Sequence, residues 1–411
     1  EGGAKGTLLL RLANQDEVHE AFVSYIDAML DLLLPRKDVL DLEGRTDILF
    51  LGPDERTAEL MEWAALYAKR RQYKYWKAFT TGKPPAIGGI PHDLYGMTTA
   101  GVHEYVLGVL EKLGLKEEQL TKVQSGGPDG DLGSNEILIS KDKTIAVVDG
   151  SGVLYDPRGL NREELTRLAR ARVMVDHFDR QRLSKEGFFV SIKDRDVKLP
   201  DGSAVPNGEV FRNTFHLHPL AKADLFVPCG GRPGAVNITN WRQLLDESGK
   251  PKFRVIVEGA NLFITEDARL RLEERGVVLI KDASSNKGGV TSSSLEVYGA
   301  LALSDEEYAK HMVVGADGKI SPFRQRYVDQ IVRIIKANAR AEFELMWREN
   351  QASKVPLATL SNRVSERINA TADAVAASQL VRDPKLRRKV LSLCTPDALL
   401  DPRRIPRDRL S

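Results

Sequence analysis

Apolar positions along the chain keep changing period, and the changes mark out elements. Over 16–34, Val18, Phe22, Ile26, Met29, Leu30 and Leu33 recur at helical spacing, and Pro35 closes the segment. Asp47-Ile-Leu-Phe-Leu-Gly-Pro-Asp54 reads as a buried strand delivering Asp54 at its C-terminal end, and 55–72 as a helix ending in Lys69-Arg70-Arg71, where cations suit the helix dipole. Residues 79–97, rich in Gly, Pro and Thr, read as a long loop, and a loop of that length is usually functional or mobile. A helix over 98–113 leads to a short strand, Lys122 to Gln124, then a glycine-dense turn, Gly126 to Gly133. A helix opens near Asp131, and an apolar strand, Thr144 to Val148, stops at Asp149. Residues 161–186 read as a charged helix, 199–203 as a surface hairpin, and His216-Leu217-His218 as a strand face. Strands at 224–228, 254–258 and 277–280 then alternate with helices at 238–246 and 265–275. Beyond 290 the chain is helical and charged, over 322–350, 356–377 and 384–393.

Short apolar strands separated by helices predict an α/β fold: a Rossmann-type doubly wound parallel sheet, with ligand at the C-terminal ends of its strands. The expected organisation is part of an α/β substrate domain over 1–97, a dinucleotide-binding domain over 98–300, and a helical segment over 301–411 packing back on the substrate domain.

The glycine turn is the richest chemical signal. Glycines let a backbone approach a pyrophosphate, a helix start offers unpaired N–H groups, and a strand-end carboxylate accepts from a ribose 2′-OH while repelling a 2′-phosphate. Gly127, Gly130, Asp131, Leu132, Gly133 and Asp149 are therefore candidate cofactor residues, with Asp149 favouring NAD over NADP. The spacing is irregular: Gly130 and Gly133 fit G-x-G-x-x-G, but Pro128 stands where the first glycine belongs and Gly127 is displaced by one. On this stretch alone, dinucleotide binding and an ordinary glycine-rich turn both remain open. Three further strand ends are polar or glycine-rich: Cys229-Gly230-Gly231-Arg232, Glu258-Gly259-Ala260-Asn261, and Lys281 through Gly289.

Composition narrows the classes. With 411 residues, 42% of them apolar, the chain can build two or three cores. Lys+Arg 60 against Asp+Glu 58 leaves no global basic field for nucleic acid or membrane. Cys229 and Cys394 are too few for a disulfide framework or a cysteine-rich zinc site, which fits a reducing compartment. No apolar run is long enough to span a membrane, and no His spacing suggests metal. The start, Glu1-Gly2-Gly3 without Met, reads as a piece of something longer.

Four stretches together resemble the glutamate dehydrogenases, and most nearly the large NAD-specific type of fungi. They are Gly2-Gly3-Ala4-Lys5-Gly6; Gly52-Pro53-Asp54-Glu55; Thr81-Gly82-Lys83 through Gly88-Gly89 to Thr98-Thr99; and Asn286-Lys287-Gly288-Gly289-Val290-Thr291. The likeness covers roughly residues 1–300, and the extra residue in the glycine turn is similar to the large subclass in particular. It implies NAD-dependent oxidative deamination of L-glutamate to 2-oxoglutarate and ammonia. By it, Lys5 corresponds to the catalytic lysine, Asp54 to its proton partner, and Ser293 to a substrate-carboxylate contact; Asn261 falls near the nicotinamide, and Thr98 faces the cofactor. Two further family lysines for the substrate carboxylates would precede residue 1, and Lys287 stands where smaller members carry Ala. A homo-oligomer in the cytoplasm, or in mitochondria, is expected. Weaker readings are Lys83 and Arg232 as anion contacts, His92, His103 and Glu104 near a cleft, and Cys229 as a small packing residue without a partner base. The rival functions are another amino-acid dehydrogenase, for leucine, valine or phenylalanine, and a non-redox nucleotide-binding or assembly module.

Overall fold

A computed structural model describes residues 6–35, 47–52 and 58–400. Two compact units divide the chain: one gathers residues up to Tyr95 with Val290–Ile331 and the stretch from Leu380 on, the other Gly96–Gly289 with Val332–Gln379.

The larger unit is built on a seven-stranded sheet. Its strands are β1 (Thr121–Ser125), β2 (Lys143–Val148), β3 (Gly152–Tyr155), β4 (Phe188–Ser191), β7 (Ala223–Pro228), β8 (Phe253–Val257) and β9 (Val278–Ile280); β5 (Arg195–Lys198) and β6 (Ala204–Asn207) form a separate hairpin where the surface turn was expected. The order is β4-β3-β2-β1-β7-β8-β9. Five of these strands, β2-β1-β7-β8-β9, run parallel. The chain leaves β1 toward β2 on one side and later returns to β7 on the other, so the winding reverses at β1, where such sheets open a ligand crevice.

Alternation along the strands feeds two cores. Phe226, Ile256 and Leu279 pack with Phe215, Trp241 and Leu272 on one face; Leu225, Val227, Val255, Val257 and Ile280 meet Val102, Val106, Val109 and Phe343 on the other. At the open edge, β3 and β4 pair antiparallel. The sequence pattern predicts neither of these two short strands, and Gly150-Ser151-Gly152 hides the first of them.

Several expectations need correcting. The charged helix stops at Ala171, because Arg172 takes a left-handed backbone (φ 53°) and the apolar 173–178 stretch folds back on Leu165 and Leu168; 3-10 turns follow at 175–177 and 180–182. Residues 238–246 hold only a 3-10 turn, Trp241–Leu244, between side-chain-capped turns at Asn237 and Asp246. His216-Leu217-His218 is turn, not strand.

In the smaller unit the 16–34 pattern forms helix Val18–Leu33, and Ala58–Arg70 is helical. Residues 47–52 are not a buried strand: Leu51 bridges Thr80, while Ile48 and Phe50 are exposed. The 79–97 stretch is ordered, not loose. Phe79, Thr80, Thr81, Lys83 and Ile90 are buried, and 3-10 turns form at 76–78 and 85–87. Arg324, itself buried, donates to the carbonyls of Gly89 (2.6 Å) and Met312 (2.8 Å) and so fixes the 88–89 turn.

Candidate functional site

The glycine turn sits at the C-terminal end of β1, and each glycine has its own reason. Gly126 has φ +88°, and a Cβ there would lie 2.6 Å from the Gly230 nitrogen. It makes the sharp turn at the end of β1, one residue before Gly127. A Cβ on Gly127 would strike the Asp149 carboxylate, and one on Gly133 would strike the carbonyls of Gly126 and Gly127. Gly130 differs. Its nearest neighbour would be the Gly127 carbonyl at 3.7 Å, so no protein atom demands glycine there. The protein leaves that spot open at the start of helix Asp131–Ile139, where a phosphate approaching unpaired N–H groups would need it. Gln124 Nε2 ties the turn together, donating to Gly126 O (2.9 Å) and Gly133 O (3.0 Å).

Asp149 ends β2 beside this turn. Its Oδ1 accepts from Ser151 N (2.8 Å) and Ser151 Oγ (2.6 Å), and its Oδ2 from Val175 N (2.7 Å). Burial pushes its carboxyl upward against those donors, and Asp129 adds to the rise. Asp149 therefore anchors local backbone as well as placing negative charge at the turn. Arg172, which sequence reasoning missed, donates from Nη1 to Gly130 O at 3.0 Å. Nothing in the sequence marks it, because an arginine does not announce the left-handed helix end it occupies.

Three other strand-end segments gather here. Leu132 fills the place a Gly259 side chain would take. Asn286 Nδ2 donates to Gly259 O (3.1 Å) and to Asn261 Oδ1 (2.6 Å), which leaves the exposed Asn261 amide nitrogen as its outward donor. Gly288 packs on the Met97 carbonyl and the Thr98 backbone, bringing half-buried Thr98 to the same rim. Thus Gly127, Gly130, Asp131, Leu132, Gly133, Asn261 and Thr98 lie together, with Asp149 beside them.

The loop carrying Asn261 is clamped from below. Buried Arg269 bonds Glu258 (Nε–Oε2 2.7 Å) and Asp282 (Nη2–Oδ1 3.0 Å). Glu258 Oε1 also accepts from Ile264 N, and Asp282 Oδ2 from Leu262 N. Burial, opposed by Arg269 and helped by Asp282, pushes Glu258 up to about 7. A second buried cluster lies under helix 131–139: Lys122 Nζ contacts Glu136 (3.1 Å) and Asp142 (2.8 Å), with His103 3.4 Å from Glu136.

In the smaller unit, Ser293 Oγ is 2.9 Å from Thr81 Oγ1 and 3.2 Å from His92 Nε2. Lys83 is not an anion contact: its buried amine bonds Glu296 Oε1 (2.6 Å) and Thr80 O (2.7 Å). Lys5 and Asp54 lie outside the described residues. Lys287 bonds both oxygens of Glu342, which gives it a packing role. Cys229 is half-buried, with desolvation pushing its thiol well up, as an inert packing residue would be. Glu104 holds Arg340, and Arg232 is exposed. Among the described residues, no group of His, Cys, Asp and Glu could hold a metal.

Residues 88–353 match the Glutamate/Leucine/Phenylalanine/Valine dehydrogenase family. The chain belongs to this family. Over 98% of its length it is 55% identical to glutamate dehydrogenase 2 of Dictyostelium discoideum, covering 38% of that protein. It is 49% identical to the NAD-specific glutamate dehydrogenase of Neurospora crassa over 98% of this chain and 39% of the relative. The chain thus spans less than two-fifths of the length of these curated relatives. The crystal structure of Plasmodium falciparum glutamate dehydrogenase superposes with a TM-score of 0.58 at 16% identity, over 86% of this chain and 64% of that one, a likeness of fold.

Proposed function

We propose that this chain is the catalytic region of an NAD-dependent glutamate dehydrogenase, converting L-glutamate reversibly to 2-oxoglutarate and ammonia. The observation that carries this is the 46–55% identity to glutamate dehydrogenases, three of them named NAD-specific, over 95–98% of the chain. The open space at Gly130 and the helix start behind it fit a pyrophosphate, so the cofactor reading has support from the fold itself.

When bound, the nicotinamide supplies the acceptor for a hydride from the substrate Cα. The chain's own residues do the rest. Gly127, Gly130, Asp131, Leu132 and Gly133 cradle the phosphates, Asp149 disfavours a 2′-phosphate, and Asn261 and Thr98 orient the nicotinamide end. Lys5, kept neutral, takes a proton from water attacking the imine; Asp54 exchanges that proton; Ser293 donates to a substrate carboxylate.

Replacing Lys5 with Ala in the full-length gene product should cut turnover on the order of a thousandfold while NADH still quenches protein fluorescence. Full activity in that variant would end the mechanism. A panel of amino acids separates glutamate from leucine, valine and phenylalanine. Assembly into a homo-oligomer, and a cytoplasmic or mitochondrial location, belong to the same proposal and are read by ultracentrifugation and fractionation. Among the described residues no helix is long and apolar enough to cross a membrane.

A further inference from the structure

We propose that His92 is a positioning residue that aims the Ser293 hydroxyl at a carboxylate of the substrate, so that the site selects dicarboxylic over apolar amino acids. This rests on the reading above that Ser293 meets a substrate carboxylate.

Ser293 Oγ has one proton and two protein neighbours, Thr81 Oγ1 at 2.9 Å and His92 Nε2 at 3.2 Å. If either neighbour takes that proton, nothing is left to give an anion. The other acceptor near Thr81 Oγ1, Leu51 O, is 3.5 Å away, so the threonine proton goes to Ser293 Oγ and fills one of its two lone pairs. The remaining donor is His92. With its proton on Nε2 it donates to Ser293 Oγ and leaves the serine proton directed outward.

The surroundings hold this arrangement still. Glu296 lies one helical turn beyond Ser293 and accepts from Gly82 N (2.9 Å) and Lys83 Nζ (2.6 Å), which locks the strip bearing Thr81 against the serine. Arg324 on Gly89 O fixes the turn that leads to His92. Burial lowers the His92 pKa despite nearby Glu296 and Asp93, so the imidazole is neutral near pH 7 and has one N–H to place.

A cluster of Thr81, His92 and Ser293 is costly to cover with an apolar side chain, because the outward serine proton would be left without an acceptor. A carboxylate satisfies it. The cluster was invisible in the sequence, since His92 and Ser293 stand 201 residues apart.

The test is steady-state kinetics of the full-length gene product with glutamate and with leucine, for the wild type, His92→Leu and His92→Gln. His92→Leu should raise the KM for glutamate about tenfold or more, with kcat changed far less, and should narrow the preference for glutamate over leucine. His92→Gln keeps an N–H near the Nε2 position and should recover most of the loss, which a merely structural histidine would not require. NADH quenching, reported by the other unit, should be unchanged and controls for folding. An active wild type whose His92→Leu variant keeps its KM and selectivity would overturn this inference alone. A wild type that turns over leucine and not glutamate would overturn both it and the function on which it rests.

Discussion

In the unit that holds Ser293, the buried charges Lys83 and Glu296 are matched one to one. In the sheet unit, Arg269 faces Glu258 and Asp282, and Lys122 faces Glu136 and Asp142. A matched pair fixes two segments and leaves no net charge behind. A cation shared by two carboxylates fixes three, and the balance then differs by site: burial outweighs Arg269 at Glu258, whereas at Glu136 burial is outweighed by Lys122 with His103 and the carboxyl is held down. Glu258 accordingly rises to about 7. Glu117 is raised mainly by burial, and His103 is raised because Glu136 outweighs its burial. The sheet unit therefore keeps titrating groups beneath the proposed cofactor rim.

The sharpest way to break this contrast is to remove the cations. Arg269→Met strands two buried carboxylates, Glu258 and Asp282, and frees the partly exposed Glu266, and should cost about 4–5 kcal/mol, read as denaturant stability. Lys83→Met strands one and should cost about 3 kcal/mol, with much of the loss recovered when Glu296→Met is added. Equal losses, or no recovery in the double variant, would erase the distinction.

Next in size is the pH dependence. A carboxyl whose folded pKa is raised contributes stability that is present below its unfolded value and lost as pH rises through the folded one. For Glu258 that window runs from 4.5 to about 7, worth on the order of 3 kcal/mol at most. His103, also raised, works in the same direction, its share fading as pH climbs above the ordinary histidine range. Melting temperature should fall from pH 5 to pH 8, and Glu258→Gln should flatten the fall. A slope unaltered in that variant would remove Glu258 from the account.

The smallest effect on stability separates two glycines. Gly133→Ala drives a Cβ into the carbonyls of Gly126 and Gly127 and should cost about 1–3 kcal/mol by overpacking. Gly130→Ala meets only open space and should leave stability nearly unchanged.

What was legible in the sequence follows the same physics. The glycine turn could be read because backbone sterics dictate residue type at Gly126 and Gly133, and the parallel strands because burial on both faces makes them apolar throughout. The order of segments along the chain carried the family likeness. Buried charges were not legible. Lys83 looks like any surface lysine until Glu296, 213 residues on, is placed against it, and the Arg269 clamp depends on carboxylates at the ends of two different strands. The 79–97 stretch was misjudged for the same reason: its Gly, Pro and Thr residues suggest a loose loop, but Arg324 and Glu296 hold it from far along the chain. Short strands β3 and β4 were lost because a glycine turn and four-residue lengths give periodicity too little room.

The most direct test is a fluorescence titration of NADH into the wild type and into Gly130→Val, with circular dichroism and melting temperature measured on both. The account predicts saturable quenching by the wild type, its loss in a variant that stays folded, and weaker quenching by NADPH than by NADH. Unchanged NADH affinity in a folded Gly130→Val protein would contradict it.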